Sequence, residues 1–136
     1  LNRTTGEAEP TLEKVVDGET VLAMGALARQ VPVASPVTET VSRLVLATHP
    51  ESEAAPEMVR RYVRYGASPR GAQALVLGGK VTALLAGRYN VALEDVETVA
   101  PAALRHRVLL NFEAQADGVR TDDVVDAAVE AVTAEA

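Results

Sequence analysis

Residues 71–87, GAQALVLGGKVTALLAG, constrain the fold more than any other part of the chain. Only Gln73, Lys80 and Thr82 are clearly polar in this stretch. Ser68-Pro69 stands just before it, with serine at the position of a helix cap and proline at the first helical position, where no N–H is needed. The spacing predicts a helix from Pro69 to about Arg88. A helix that is apolar nearly all round belongs at the centre of a bundle, covered by its neighbours. Gly78-Gly79 costs roughly 1 kcal/mol per glycine inside such a helix. Close approach by another helix is the expected compensation.

The rest of the chain supplies that shell. Aromatic residues make up only 3% of its 136 residues, so the core is built from Ala, Val and Leu. That composition suits close-packed helices better than a β-sandwich or a base-stacking surface. A first helix is predicted over 19–30, with Val21, Leu22, Met24, Ala26 and Ala28 at helical spacing. Pro32 and Pro36 interrupt the chain, and Ser35-Pro36 repeats the serine-proline start. Val37, Val41, Leu44, Val45 and Thr48 then form one face of a helix over about 36–48. Residues 58–65, MVRRYVRY, fit a helix or an extended segment. Glu94 and Asp95 open a further helix, with Val96, Val99 and Ala100 facing inward and Pro101 either interrupting it or starting a short helix to His106. Residues 107–111 read as a short extended piece. Thr121 is the expected cap of a last helix with Val125, Ala128, Val129 and Val132 as its buried stripe. The expected fold is all-α, a compact bundle of five to six helices with one short extended segment. Residues 1–18 are an extended lead-in and 19–136 the helical domain.

The net charge of −6 argues against nucleic-acid binding by the surface as a whole. The charge is uneven. Residues 57–70 hold four arginines, Arg60, Arg61, Arg64 and Arg70, and one acid, whereas residues 113–136 hold seven acids and one arginine. The first three arginines form a solvated basic face or dock on an acidic surface. Without cysteine there is neither a disulfide framework nor a thiolate metal site, and His49 and His106 do not make a zinc site. No apolar run has the ~18 residues of a membrane span. A start at Leu1 rather than Met points to a piece of a longer protein, for which cytoplasmic localisation is the default expectation.

No enzyme site assembles from these residues. LGGKVT at 77–82 looks like the end of a phosphate-binding loop, but G-x-x-x-x-G-K-[ST] requires Gly where Ala74 stands and Ser or Thr where Val81 stands. Arg70 is the stronger candidate. At the second position of its helix it opposes the helix dipole, a conflict that a bound phosphate reverses by meeting both the helix end and a planar guanidinium. Gly66 lends the entering loop freedom on this reading, and Gly71 leaves the next turn unhindered. The alternative is a solvated arginine beside an ordinary cap. Arg105-His106-Arg107 is a second basic cluster, read either as favourable charge at a helix C-terminus or as a further anion contact.

Taken together, GASPR at 66–70, the V-x-x-E-D-V helix start at 91–96 and LRHR at 104–107 resemble the C-terminal helical lid of MoxR-type AAA+ ATPases. RTTG at 3–6, RQVPV at 29–33 and VSRLVLATHP at 41–50 also fit, so the resemblance spans most of the chain. It implies that a nucleotide-binding core of the same chain, absent here, carries the phosphate-binding loop, sensor 1 and the ligands of Mg²⁺. The lid would fold over the ATP, with Arg70 as the sensor 2 arginine and Arg105 and Arg107 as secondary phosphate or subunit contacts. It further implies ATP hydrolysis by the parent protein, a homo-oligomeric ring, chaperone-like remodelling or maturation of protein complexes, and partners carrying a von Willebrand factor A domain. This segment is not expected to hydrolyse ATP alone. The rival readings are a stand-alone helical interaction module and the lid of a magnesium-chelatase-like subunit.

Overall fold

The computed structural model describes residues 13–134. Among these, seven helices and one two-stranded ribbon follow in the order α1 (Gly18–Gln30), α2 (Ser35–Ala47), α3 (Glu57–Tyr62), β1 (Val63–Tyr65), α4 (Pro69–Leu85), α5 (Leu93–Leu104), β2 (Leu109–Leu110), α6 (Phe112–Asp117) and α7 (Thr121–Thr133). Five helices are long, and α3 and α6 have six residues each. The expected mostly helical bundle is therefore present. The ambiguous segment 58–65 resolves into both of its options, helix and then strand. Val63 pairs with Leu110 and Tyr65 with Leu109, antiparallel. α6 was not expected from the pattern. Asn111 caps it by accepting from the Ala114 N–H, and Gly118 ends it at φ +69°. Most of the expected lead-in lies outside the described residues; 13–17 form no regular element.

α4 packs against α1, α2 and α5. Its buried line is Gly71, Leu75, Gly79 and Ala83, four residues apart and hence on one face. The glycines bring α5 close. A Cβ on Gly78 would stand 3.3 Å from Val99, and one on Gly79 would stand 3.1 Å from Cγ1 of Val91 in the incoming loop. One on Gly71 would stand 3.1 Å from Cδ2 of Leu104. The core continues through Val41, Leu44 and Val45 of α2 to Val124, Val125, Ala128 and Val132 of α7, closed below by Val59 of α3.

Several local expectations are corrected. α4 is not covered all round: Leu77, Val81 and Leu85 face outward, Leu85 with 85% of its surface exposed. α1 forms where expected, yet none of its residues is buried, because its principal partner is α4 alone. Ser35 is the first residue of α2 rather than its cap; Ala34 holds that position. Thr121 likewise lies inside α7, where Asp123 instead accepts from the Arg120 N–H at 2.8 Å. Pro101 neither breaks nor starts a helix, since α5 runs through it to Leu104. The missing N–H removes one helical bond. Burial of Ala100 and Leu104 on either side holds the helix together.

α4 ends at Leu85, earlier than the expected Arg88, and Gly87 turns the chain at φ +73°. Arg88 then reaches forward to Asp95. Its two terminal nitrogens donate to both carboxylate oxygens, at 2.8 and 2.5 Å, and the Ala92 N–H donates to Asp95 Oδ2 at 2.8 Å. Asp95 is only 2% exposed. Hydrogen bonding from Arg88, with help from Ala92, outweighs burial and holds its carboxyl below the usual carboxylate value. This fork closes the α4–α5 turn and keeps the two helices in register.

Two outcomes follow from this packing. Gly79→Leu is expected to destabilise the protein by roughly 1–3 kcal/mol in a urea melt, because Val91 leaves no room for it; a gain in stability would mean the glycines serve no close packing. A carboxyl depressed in the folded state contributes stability that is complete above its unfolded pKa near 4 and lost as pH falls through the folded value. Between pH 6 and pH 2, wild type is therefore expected to lose more stability than Asp95→Asn, measured by melts at each pH.

Candidate functional site

Of the basic residues singled out in the sequence, Arg70 stands at the N-terminus of α4. Ser68 occupies the cap position with extended backbone, Pro69 is first in the helix and Arg70 second. The serine side chain makes no capping bond; its carbonyl accepts from the Gly71 N–H at 2.7 Å. Arg70 is exposed and makes no hydrogen bond or ion pair with any described residue. Pro69 has no N–H and the Gly71 N–H is engaged, so the exposed, unengaged Arg70 guanidinium is the group at this turn suited to an anion.

The backbone beneath Arg70 is tightly held. Gly66 does not have the left-handed φ that would mark conformational freedom. It is glycine for want of space: a Cβ there would lie 2.7 Å from the His49 ring and 2.7 Å from the Thr48 carbonyl oxygen. Ala67 is fully buried. Gly71 is not an unhindered turn either, since Leu104 and Ala67 pack on it. β1, which leads into this loop, is tied to β2 and further by the Asn111 N–H to the Tyr62 carbonyl at 2.9 Å.

The other arginines divide. Arg107 is half-buried, its Cδ 3.7 Å from where a Cβ on Gly71 would stand, so its stem lies on the first turn of α4. It donates to the Ala103 carbonyl and contacts the His106 ring. Arg105 points elsewhere, pairing with Asp122 of α7 at 3.0 Å. The structure thus lays the Arg107 stem on Gly71, the residue after Arg70, but commits Arg105 to a neighbouring helix. Arg60 donates to the carbonyls of Ala55 and Glu53. Arg61 does dock on acids, those of its own α6: Glu113 at 2.7 Å and Asp117 at 3.0 Å. Those contacts, Glu113 first, raise the Arg61 pKa, and donation to Asp117 raises that of the Tyr62 hydroxyl. Arg64 is exposed and lies over the Tyr65 ring. Among the described residues no group of three or more His, Cys, Asp or Glu is placed to hold a metal ion, and no helix is long and apolar enough to cross a membrane.

Two features escaped the sequence reading. Asp95 was legible as a favourable charge at a helix start and as part of the V-x-x-E-D-V series, but without its partner Arg88. Thr48 and His49 were legible as the end of an apolar stripe, as an isolated histidine and within the VSRLVLATHP match, but not as partners of Ala67.

The family model of the AAA lid domain matches residues 55–128, which include Arg70, Arg105 and Arg107 but not Thr48 and His49. Chaperone MoxR1 of Mycobacterium tuberculosis is 28% identical over 93% of the chain. The uncharacterized protein YeaC of Bacillus subtilis is 30% identical over 90% of it. The crystal structure of a candidate ATPase from Cytophaga hutchinsonii superposes with a TM-score of 0.83 at 29% identity over 95% of the chain. The chain spans 34% and 35% of the two relatives and 39% of the solved structure. It belongs to the AAA lid domain family and is a lid of the MoxR type.

The Arg61 contacts yield a further expectation. All three partners are half-exposed, so their attraction is screened by salt. Arg61→Ala is expected to lower the melting temperature of the protein slightly at low salt and negligibly at 1 M salt. A loss that salt leaves unchanged would assign Arg61 a packing role instead.

Proposed function

We propose that this chain is the lid of a MoxR-like AAA+ ATPase and that Arg70 meets the γ-phosphate of ATP held by a nucleotide-binding core of the same protein. Residues 19–136 form the lid domain on this reading, and 1–18 lead into it from the core. The observation that carries it is the contrast at α4: an exposed guanidinium without a described partner, on a turn whose flanking residues Gly66 and Gly71 are tightly packed. ATP fits here, since the Arg70 guanidinium supplies the charge-assisted donors that a terminal phosphate needs. Among the described residues no carboxylate cluster is placed to hold Mg²⁺; on this reading its ligands fall to the core. Bound together there, the nucleotide and the ion supply the phosphoryl chemistry.

Arg107 lies near enough to the first turn of α4 to add positive potential, whereas Arg105 is reserved for Asp122 and a subunit contact. Loss of the terminal phosphate would release Arg70 and let the lid move against the core. In a homo-oligomeric ring that movement would drive chaperone-like remodelling or maturation of protein complexes, with a von Willebrand factor A domain protein as a partner. The cytoplasm is the proposed compartment. MoxR1 is named a chaperone, which supports the class of task.

The test is ATP turnover by the parent protein. Arg70→Ala is expected to reduce turnover by roughly ten- to a hundredfold, the loss of a charge-assisted contact to developing charge. ADP affinity should change much less, and Arg70→Lys should recover little, because a point charge does not reproduce the planar fork. Arg64→Ala removes a charge from the same basic stretch without touching α4 and should stay near wild type. Equal losses in the two variants would reduce Arg70 to part of a diffuse positive field.

A further inference from the structure

Ala67 stands three residues before Arg70, and both of its peptide groups are held by the end of another helix. The Ala67 N–H donates to the Thr48 hydroxyl at 2.9 Å. The Ala67 carbonyl lies 2.9 Å from His49 Nε2. A carbonyl only accepts, so Nε2 carries the proton. Thr48 is itself fixed, donating its hydroxyl proton to the Val45 carbonyl at 2.6 Å, and it is fully buried. The His49 ring also fills the space above Gly66. Two consecutive residues that follow α2 therefore grip the peptide that leads into the Arg70 turn, with no contact to Arg70 itself.

We propose that Thr48 and His49 are positioning residues for Arg70, a clamp that fixes where the guanidinium is presented to a terminal phosphate. The inference rests on the reading of Arg70 given above. A long flexible side chain is an effective phosphate sensor only when its base does not wander, since misplacement by about 1 Å costs up to about a hundredfold in rate. The Leu104 contact fixes the first turn of α4 from one side. The clamp fixes the loop from the other. Without it, the Ala67 N–H and carbonyl are buried groups lacking partners, and the loop must shift to find water. The clamp also makes α2 mechanically continuous with the α4 start, so displacement of α2 would move Arg70.

The experiment uses the full parent protein, with kcat and KM for ATP, ADP affinity, and amide hydrogen exchange across residues 64–72. Thr48→Val removes the hydroxyl at constant shape, and His49→Ala removes the ring. Each is expected to lower kcat by about tenfold, with ADP affinity within about twofold and exchange at Ala67 to Gly71 faster by at least about tenfold. Thr48→Ser and His49→Gln keep a hydroxyl and an equivalent N–H and should restore kcat to near wild type. In an Arg70→Ala background, the clamp variants should have no further effect on kcat, because they act through that arginine. If Thr48→Val does not fold, the surface-accessible His49 pair carries the same comparison. Clamp variants that leave kcat unchanged, or whose effects multiply with that of Arg70→Ala, overturn the clamp while the reading of Arg70 stands. An Arg70→Ala protein with full turnover overturns both.

Discussion

Gly71, Gly78 and Gly79 let α4 and α5 approach until the side chains of one region rest on the backbone of the other. Leu104, Val99 and Val91 occupy the volume that three Cβ atoms would take. With so few aromatic residues, the chain has little bulk to fill wider gaps, so short interhelical distances are its means of reaching interior packing density. The Arg88–Asp95 fork follows from this arrangement. Helices joined by a short turn at such close range need their register fixed at the turn, and a two-pronged bond to a buried carboxylate does that. α2 then packs on α4, and α7 on α5.

The same seam reaches the candidate site. Leu104 packs on Gly71, one residue beyond Arg70, and the chain leaves Leu104 directly into Arg105-His106-Arg107. Packing at the α4–α5 seam and placement of basic groups are thus one event. Charge is sorted along with it. Arg61 and Arg105 are neutralised by acids of α6 and α7, whereas Arg70 is left open. The acidic C-terminal stretch accordingly serves partly as an internal counter-charge for Arg61 and Arg105.

Much of the fold was legible because helical periodicity is local. The faces Val41–Leu44–Val45, Val96–Ala100 and Val125–Ala128–Val132 turn inward as their spacing requires. Where local rules competed with neighbours, the reading failed. α1 has an apolar face, but burial needs partners on that side, and among the described residues α4 is its principal one. Ser35 and Thr121 have good capping chemistry, yet the preceding residue takes the cap geometry in each case, and for α7 the carboxylate of Asp123 satisfies the N–H. α6 is too short for a periodic signal to emerge.

What the sequence determined by itself was the central helix, its glycine seam, the antagonism between Arg70 and the helix dipole, and a motif series resembling a MoxR-type lid. Each depends on residues within a turn or two of one another, or on an ordered pattern of short motifs. Tertiary structure alone decided which arginines remain open and what holds the turn beneath Arg70. Arg61 meets Glu113 across 52 positions, and Thr48 and His49 meet Ala67 across 19 and 18. Contacts at such separations are set by how helices pack, and no local propensity encodes which side chain will stand opposite.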